Sequence, residues 1–574
     1  MDTDGVAELI LGPLLRHVGE HDATVWVETN AACEVEVLGH GARTFEVEGH
    51  HYALVVIDGL EPGERRAYEV ALDGRRAWPE LDSAFPPSTI GTIDGERAAT
   101  VVFGSCRVTA PQVAPYTLSK DADERGRGID ALRTLALQLH ERPPDDLPDA
   151  LLLLGDQIYA DEVSPQTLEF IRSSRDTDAP PGEEVADFEE YSRLYWEAWR
   201  DPPIRWLLST VPTAMIFDDH DVHDDWNTSA SWVERMRAEP WWDERIVGAF
   251  MSYWLYQHLG NLSPRELAGD RLFQRVKGLA DAGAELREFA GNVDRGHEGT
   301  RWSYCRDLGR TRLVVLDSRA GRVLDPERRT MVDEHEWRWI EEQVEGDFDH
   351  LLLATTLPLL LAPGMHHLEA WNEAVCEGAW GATAARAGEW LREALDLEHW
   401  AAFGESFARL TQLIEDVGAG RRGAAPASIV VLSGDVHHAY VAEVAFRREA
   451  GVQSAVYQAT CSPVRNPLDA RERRLMRAAT SRTAAVVAGA LARAAGVARP
   501  HIRWRLSGKP SFDNQIATLD VDGRGADLRI ERPVGEGDGD PHFECVLERS
   551  LSAPHIQGRV PARTASQAEE TTRT

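Results

Sequence analysis

Three short stretches of this chain concentrate groups that can hold a cation or move a proton. Every residue of 218–225 except Val222 is acidic or a histidine: Asp218, Asp219, His220, Asp221, His223, Asp224 and Asp225. Such density cannot pack uncharged in a core; it needs full solvation or cations. The apolar run Ala214-Met215-Ile216-Phe217 leads straight into it, which favours metal or catalytic use over a solvated loop. Asp219 and His220 come first off the strand, and Asp224, Asp225 and Asn227 read as loop-positioning residues. The turn Gly155-Asp156-Gln157-Ile158-Tyr159 places a carboxylate that can bridge two cations and a phenol whose oxygen suits a hard ion such as ferric iron. Its alternative is a helix-capping Asp with a buried Tyr. Ser433-Gly434-Asp435-Val436-His437-His438 repeats the design: Asp435 and His437 face the same way if extended geometry continues past the strand.

Phe103-Gly104-Ser105-Cys106-Arg107 is the least obvious cluster. A cysteine-based phosphatase needs an Arg six positions on, and position 112 is Gln. Cys106 reads instead as a thiolate metal ligand, with a small buried hydrophobe as the alternative. Arg107 could then hold an anionic oxygen. Other templates fail: there is no GxxxxGK[ST] loop and no HExxH, and Gly404-Glu405-Ser406-Phe407-Ala408 breaks a GxSxG elbow at its last position.

These clusters must be carried by regular elements. Apolar runs at 100–103, 150–154, 213–217, 312–316, 350–353 and 428–432 alternate with helical stretches, an α/β pattern. Nearly every run ends in a polar cluster, as expected where a site gathers at the carboxyl ends of strands. Residues 1–95 read instead as short Val-rich strands (23–28, 34–38, 52–57), a small antiparallel β-sandwich that serves as an accessory domain. Residues 99–548 form the second domain, with insertions at 162–210, 228–300 and 366–420; their tryptophans read as core packing, with a lid over the site as the alternative. An Ala-rich helix is expected at 479–498, closing strands at 515–519 and 526–531, and a disordered tail at 549–574.

The 574 residues, 43% of them hydrophobic, suffice for a large core. A net charge of −34 argues against stable nucleic-acid binding. It also means that any site for an anionic substrate must reverse the field locally. Only Lys120, Lys277 and Lys509 are lysines. The six cysteines are scattered without a CxxC pair, which does not suit a disulfide scaffold. No transmembrane run, signal peptide or twin-arginine pair is seen, so the expected location is cytoplasmic.

Taken together, Ser105-Cys106-Arg107, Gly155-Asp156 with Tyr159, Asp218-Asp219-His220-Asp221, Asp317-Ser318-Arg319 and Ser433 to His437 resemble, in order, the motifs of the PhoD-like (alkaline phosphatase D) branch of calcineurin-like metallophosphoesterases. The resemblance spans roughly residues 99–470. It implies a metallophosphatase β-sandwich flanked by helices, rather than a doubly wound parallel sheet, with the N-terminal β domain in front. It implies Asp156 bridging two metals, Cys106, Tyr159 and His437 completing an iron(III) site, and Asp219 and Asp435 holding a second metal, calcium, with zinc or manganese as alternatives. His220 would act as acid or phosphate contact, and Arg107 would bind phosphate. For the family's further metal-binding His, Ala354-Thr355-Thr356 ends the relevant strand without one, and the candidate that remains is His366, further on. The expected activity is hydrolysis of phosphate mono- or diesters by a metal-activated hydroxide; the alternative is a non-catalytic metal-binding or interaction protein on the same scaffold.

Overall fold

The computed structural model describes residues 6–95, 97–296, 300–325, 328–535 and 540–551. Its centre is a pair of mixed sheets packed face to face. The first runs Thr213–Ile216, Ala150–Leu154, Ala99–Gly104, Ile516–Asp522, Gly525–Val534 and His542–Ser550 in spatial order; the first three are parallel and the rest antiparallel. The second runs Tyr304–Leu308, Thr311–Leu316, His350–Thr355, Ser428–Ser433, Ala455–Thr460, Ala439–Ala445 and Arg503–Ser511, with four parallel strands in the middle.

Side chains alternate across a strand, and the core follows that period. Val101, Phe103, Leu152 and Leu154 meet Leu313, Val315, Leu352, Ala354, Val430 and Leu432 between the sheets. Val102, Leu151 and Leu153 face helices on one outer side, and Val314, Leu351, Leu353, Ile429 and Val431 face helices on the other. Strands covered on both faces are apolar throughout, which is why they are unbroken hydrophobic runs in the sequence. The fold is thus α/β, a β-sandwich flanked by helices.

Upstream, two antiparallel four-stranded sheets form between Leu9 and Trp78. Val25, Val27, Val35, Val55, Val70 and Leu72 fill the space between them. Trp26, Tyr52 and Leu54 point the other way, into the core of the helical insertions. Arg16, fully buried, donates to the carbonyls of Tyr256 (2.8 Å) and Gln257 (2.6 Å). The N-terminal sheets are therefore joined to the helices by a continuous core.

One ion-pair bridge at this junction is pH-sensitive. His50 Nδ1 donates to Glu28 Oε1 at 2.8 Å and Nε2 to Glu189 Oε2 at 2.9 Å. Burial works against the imidazolium, but the hydrogen bonds to Glu189 and Glu28 overturn it and raise the pKa to about 10. A folded pKa above the unfolded value of about 6.5 gives stability that is present in full below that pH and lost as pH rises through the folded value. Thermal stability should therefore decline between about pH 6.5 and pH 10, and His50→Gln should flatten that part of the curve. Parallel pH profiles for the two proteins would count against the bridge.

The insertions fold as helices, including Phe188–Trp199, Trp242–Ser252, Pro363–Cys376 and Gly404–Gly418. Trp232, Trp242 and Trp254 are buried in the core rather than set over the site. The Ala-rich stretch forms the helix Arg482–Ala494, capped by Ser481, which accepts from the Ala484 N–H at 3.1 Å; a separate helix, Ala470–Ala479, precedes it. The expected tail starts too early: Arg549 and Ser550 pair with Leu528 and Asp527 in the last strand, and Leu551 is buried. Residues 552–574 lie outside the described residues. Among the described residues no helix is long and apolar enough to cross a membrane.

Candidate metal centre

The loops after Ala99–Gly104, Ala150–Leu154 and Thr213–Ile216 in one sheet meet the loops after Thr311–Leu316 and Ser428–Ser433 in the other. The joints are tight. Asp435 N–H donates to Ser105 Oγ (2.9 Å), Cys106 Sγ lies 3.4 Å from the Asp435 carbonyl oxygen, and Arg107 N–H donates to the Asp156 carbonyl (3.1 Å). Glycine is required at two of them. A Cβ on Gly434 would lie 2.1 Å from Ser105 Oγ, and one on Gly155, whose φ is +94°, would lie 2.7 Å from Asp218 Cβ.

The expected ligands themselves depart from extended geometry. Cys106 (φ 57°), Asp156 (51°), Asp435 (65°) and His437 (51°) all adopt the left-handed region. For non-glycine residues that costs free energy and concentrates at functional sites. The extended geometry expected after Ser433 therefore does not continue. The Val436 N–H turns back to the Gly434 carbonyl (2.9 Å) and the His437 N–H to that of Asp435 (2.7 Å).

Asp156, Asp218 and Asp219 bring carboxylate oxygens within 4.8 Å of one another, and all three are buried. Asp156 Oδ1 and Asp218 Oδ2 accept no hydrogen bond. Burial and then the charges of Asp219 and Asp218 push the Asp156 carboxyl well above its usual range, and Asp219 rises to about 6, burial again first. Buried carboxylates crowded in this way are stabilised by cations, so the donor set fits hard metal ions. A second group, Asp219, His220 and Asp224, shares Asp219 with the first.

Tyr159 joins them. Its phenol donates to Asp156 Oδ2 (3.3 Å) and accepts from Asn466 Nδ2 (3.3 Å). Its ring stacks on His220 at 4.5 Å. His220 Nδ1 pairs with Asp161 Oδ2 at 2.9 Å, and Nε2 stands 3.8 Å from Asp224 Oδ1. Cys106 and His437 lie outside both carboxylate groups. Cys106 is buried against Asp435, and His437 is half-buried, its pKa lowered to about 4 chiefly by burial. His438 is structural: it stacks between Tyr440 (5.2 Å) and Phe512 (5.4 Å).

Arg107 does not turn to this cluster. Its Nε and Nη2 donate to Asp130 Oδ2 (3.1 and 2.8 Å) and its Nη1 to the Ala198 carbonyl (2.9 Å). All three nitrogens are engaged, so the guanidinium is held against Asp130 and turned away from the carboxylate cluster. The guanidinium that reaches the acidic groups is that of Arg319. It is fully buried, with Nε 2.7 Å from Asp218 Oδ1, Nη1 2.6 Å from Glu398 Oε2, and Nη2 3.3 Å from Asp219 Oδ1.

The sequence reading also missed three supporting groups. Asp221 is buried and accepts the backbone N–H of both Asp218 (2.9 Å) and Asp156 (3.2 Å), tying the two loops together. Glu398 and His399 arrive from the insertion at 366–420. His399 Nε2 lies 3.2 Å from Asp435 Oδ2, and its Nδ1 donates to Glu369 Oε1 at 2.7 Å. Burial alone would raise the Asp435 carboxyl; the hydrogen bond from His399, then the charges of His399 and Arg319, hold it below the usual range. His366, by contrast, packs on Phe407 and Trp504 away from the cluster. Only the density of His and Glu in that insertion could have signalled these contacts.

Residues 6–90 match the family model of a domain of unknown function, DUF7800, and residues 135–277 match that of the PhoD-like phosphatases. The second span contains Asp156, Tyr159, Asp219 and His220. No curated protein matches the chain. Among solved structures, the one titled "Structure of PhoD" is similar with a TM-score of 0.57, at 14% identity over 97% of this chain and 95% of that one. At that identity the likeness concerns the fold. A maltogenic amylase from S. marinus, at a TM-score of 0.17 and 9% identity over 92% of this chain and 78% of that one, is too dissimilar to share it. Residues 135–277 therefore match the PhoD-like phosphatases, within a chain whose fold is similar to that of PhoD.

Proposed function

We propose that this chain is a metal-dependent phosphoesterase acting on phosphate mono- or diesters, with residues 99–548 catalytic and residues 1–95 accessory. The observation that carries this is the buried group Asp156, Asp218 and Asp219, whose unpartnered oxygens fit cations. Asp156 would be shared between two metals; Cys106, Tyr159 and His437 would complete an iron(III) site, and Asp219 and Asp435 a second one suited to calcium, with zinc or manganese as alternatives. Cations held there lower the pKa of a water and clamp the phosphoryl oxygens during in-line displacement.

The chain's own groups do the rest. Asp161 fixes Nδ1 of His220, which leaves Nε2 as the nitrogen that can face a substrate and protonate the departing alkoxide. Arg319 offsets the charge of the carboxylates and holds Asp218 and Asp219 in place. His399, oriented by Glu369, does the same for Asp435. The partly exposed side chains of His220 and Asp435, 23% and 19%, mark the open side from which a phosphate ester would enter.

Hydrolysis of a nitrophenyl phosphate should be lost on exhaustive chelation and restored by metal. Turnover that survives chelation overturns the reading. A Tyr159 phenolate on ferric iron should also colour the protein through a visible charge-transfer band. An active but colourless zinc or manganese protein overturns the iron assignment alone.

A further inference from the structure

In a chain of net charge −34, one cavity is walled by cations. It has a volume of about 420 Å³ and is lined by Arg447, Arg493, Arg499, Arg503, His367 and His501. It lies where the helices Pro363–Cys376 and Arg482–Ala494 meet the segment leading into the strand Arg503–Ser511. Arg493, Arg499, His501 and Arg503 come from one stretch of chain, and the fold brings His367 and Arg447 from elsewhere to face them across the cavity.

Among the described residues the four arginines have no counter-ion. Among the described residues none of them makes a side-chain hydrogen bond or ion pair, whereas other arginines at the surface, the half-buried Arg312 and Arg409 and the exposed Arg421, each hold carboxylates. The nearest acid to the group stands off: His501 Nε2 is 3.9 Å from Glu415 Oε2, and Glu415 already pairs with Arg421 at 2.9 Å. Burial and then the charge of Arg493 hold His367 below its ordinary pKa. Like charges gathered in a concave, partly apolar wall focus a positive potential, and guanidinium forks match phosphate oxygens. The volume falls in the range of small-molecule sites, about 300–1,000 Å³.

We propose that this cavity binds a small soluble phosphorylated molecule carrying two or more negative charges, and that it is an effector site for the metal centre. The helix Pro363–Cys376 supplies the link. It lines the cavity with Pro363 and His367 and carries Glu369, which orients His399 against Asp435. The effector role rests on the phosphoesterase reading; the binding itself does not.

Inorganic pyrophosphate is a suitable probe, titrated into the metal-loaded protein by calorimetry. Wild type should take up one equivalent at the metal centre and one in the cavity. Arg447→Ala/Arg503→Ala should lose the second, weakened by about tenfold or more per arginine, and keep the first. Asp156→Asn should do the reverse. All the arginines changed are exposed, so melting curves should match wild type, and Arg499→Glu gives an independent check. An isotherm unchanged in the arginine variants overturns the site. Absence of the Asp156-dependent equivalent counts instead against the metal centre. The effector role requires a component of the pyrophosphate dose response of hydrolysis that the double variant lacks; identical dose responses overturn it. Arginine-dependent sedimentation with phosphatidic acid vesicles, but no uptake of pyrophosphate, would assign the phosphate to a lipid headgroup and overturn the soluble ligand.

Discussion

Asp156→Asn should hydrolyse nitrophenyl phosphate about 10³-fold more slowly than wild type, because clamped cations supply several kcal/mol of transition-state stabilisation. The same variant should melt higher than wild type in chelator. Asp156 is buried with one oxygen unpartnered, and the charges of Asp218 and Asp219 act against its ionised form. An amide of the same shape removes that repulsion, and Asn tolerates the left-handed backbone at φ 51°. In the metal-loaded state the order should reverse, since the variant forfeits the stability that bound cations add to the folded form. Metal analysis, steady-state kinetics and melts with and without chelator check all three. Full metal content with normal turnover would remove Asp156 from the centre.

Arg319→Met should produce the largest loss of stability of any single change near the site. The guanidinium is fully buried and faces Asp218, Asp219 and Glu398 at 2.6–3.3 Å. Removing one partner of a buried ion pair leaves the others uncompensated, at a cost of about 3–5 kcal/mol. Arg319→Lys should recover only part of this, because one ammonium cannot span three carboxylates on different loops. Added metal should narrow the deficit, since cations take over some of the missing charge. Urea unfolding with and without metal measures both quantities. A deficit below about 1 kcal/mol would place Arg319 among ordinary surface pairs, and an equal deficit with and without metal would separate it from the cation sites.

Much of the centre was legible from local pattern. An apolar strand running into Gly-Asp, or into a run of acids and histidines, leaves few ways to satisfy the charges, and so Asp156, Tyr159, Asp219, His220 and Asp435 could be singled out. The alternation of runs and helices gave away the layered fold. Arg107 misled because its position after Cys106 says nothing of Asp130, which captures it from 23 residues away. The Asp435-x-His437 spacing misled differently: an expected strand extension is a pair of tight turns with positive φ.

The sequence by itself determined which strand ends carry the acids and where backbone freedom is needed, because both are written within a few residues. The tertiary structure alone decided which charges neutralise one another. Arg319 meets Asp218 across 101 residues and Glu398 across 79, and His399 meets Asp435 across 36. Such partners have no periodicity or spacing in the chain. They are selected by the packing of two sheets whose loops converge, where a buried charge must find whatever counter-charge the fold brings near.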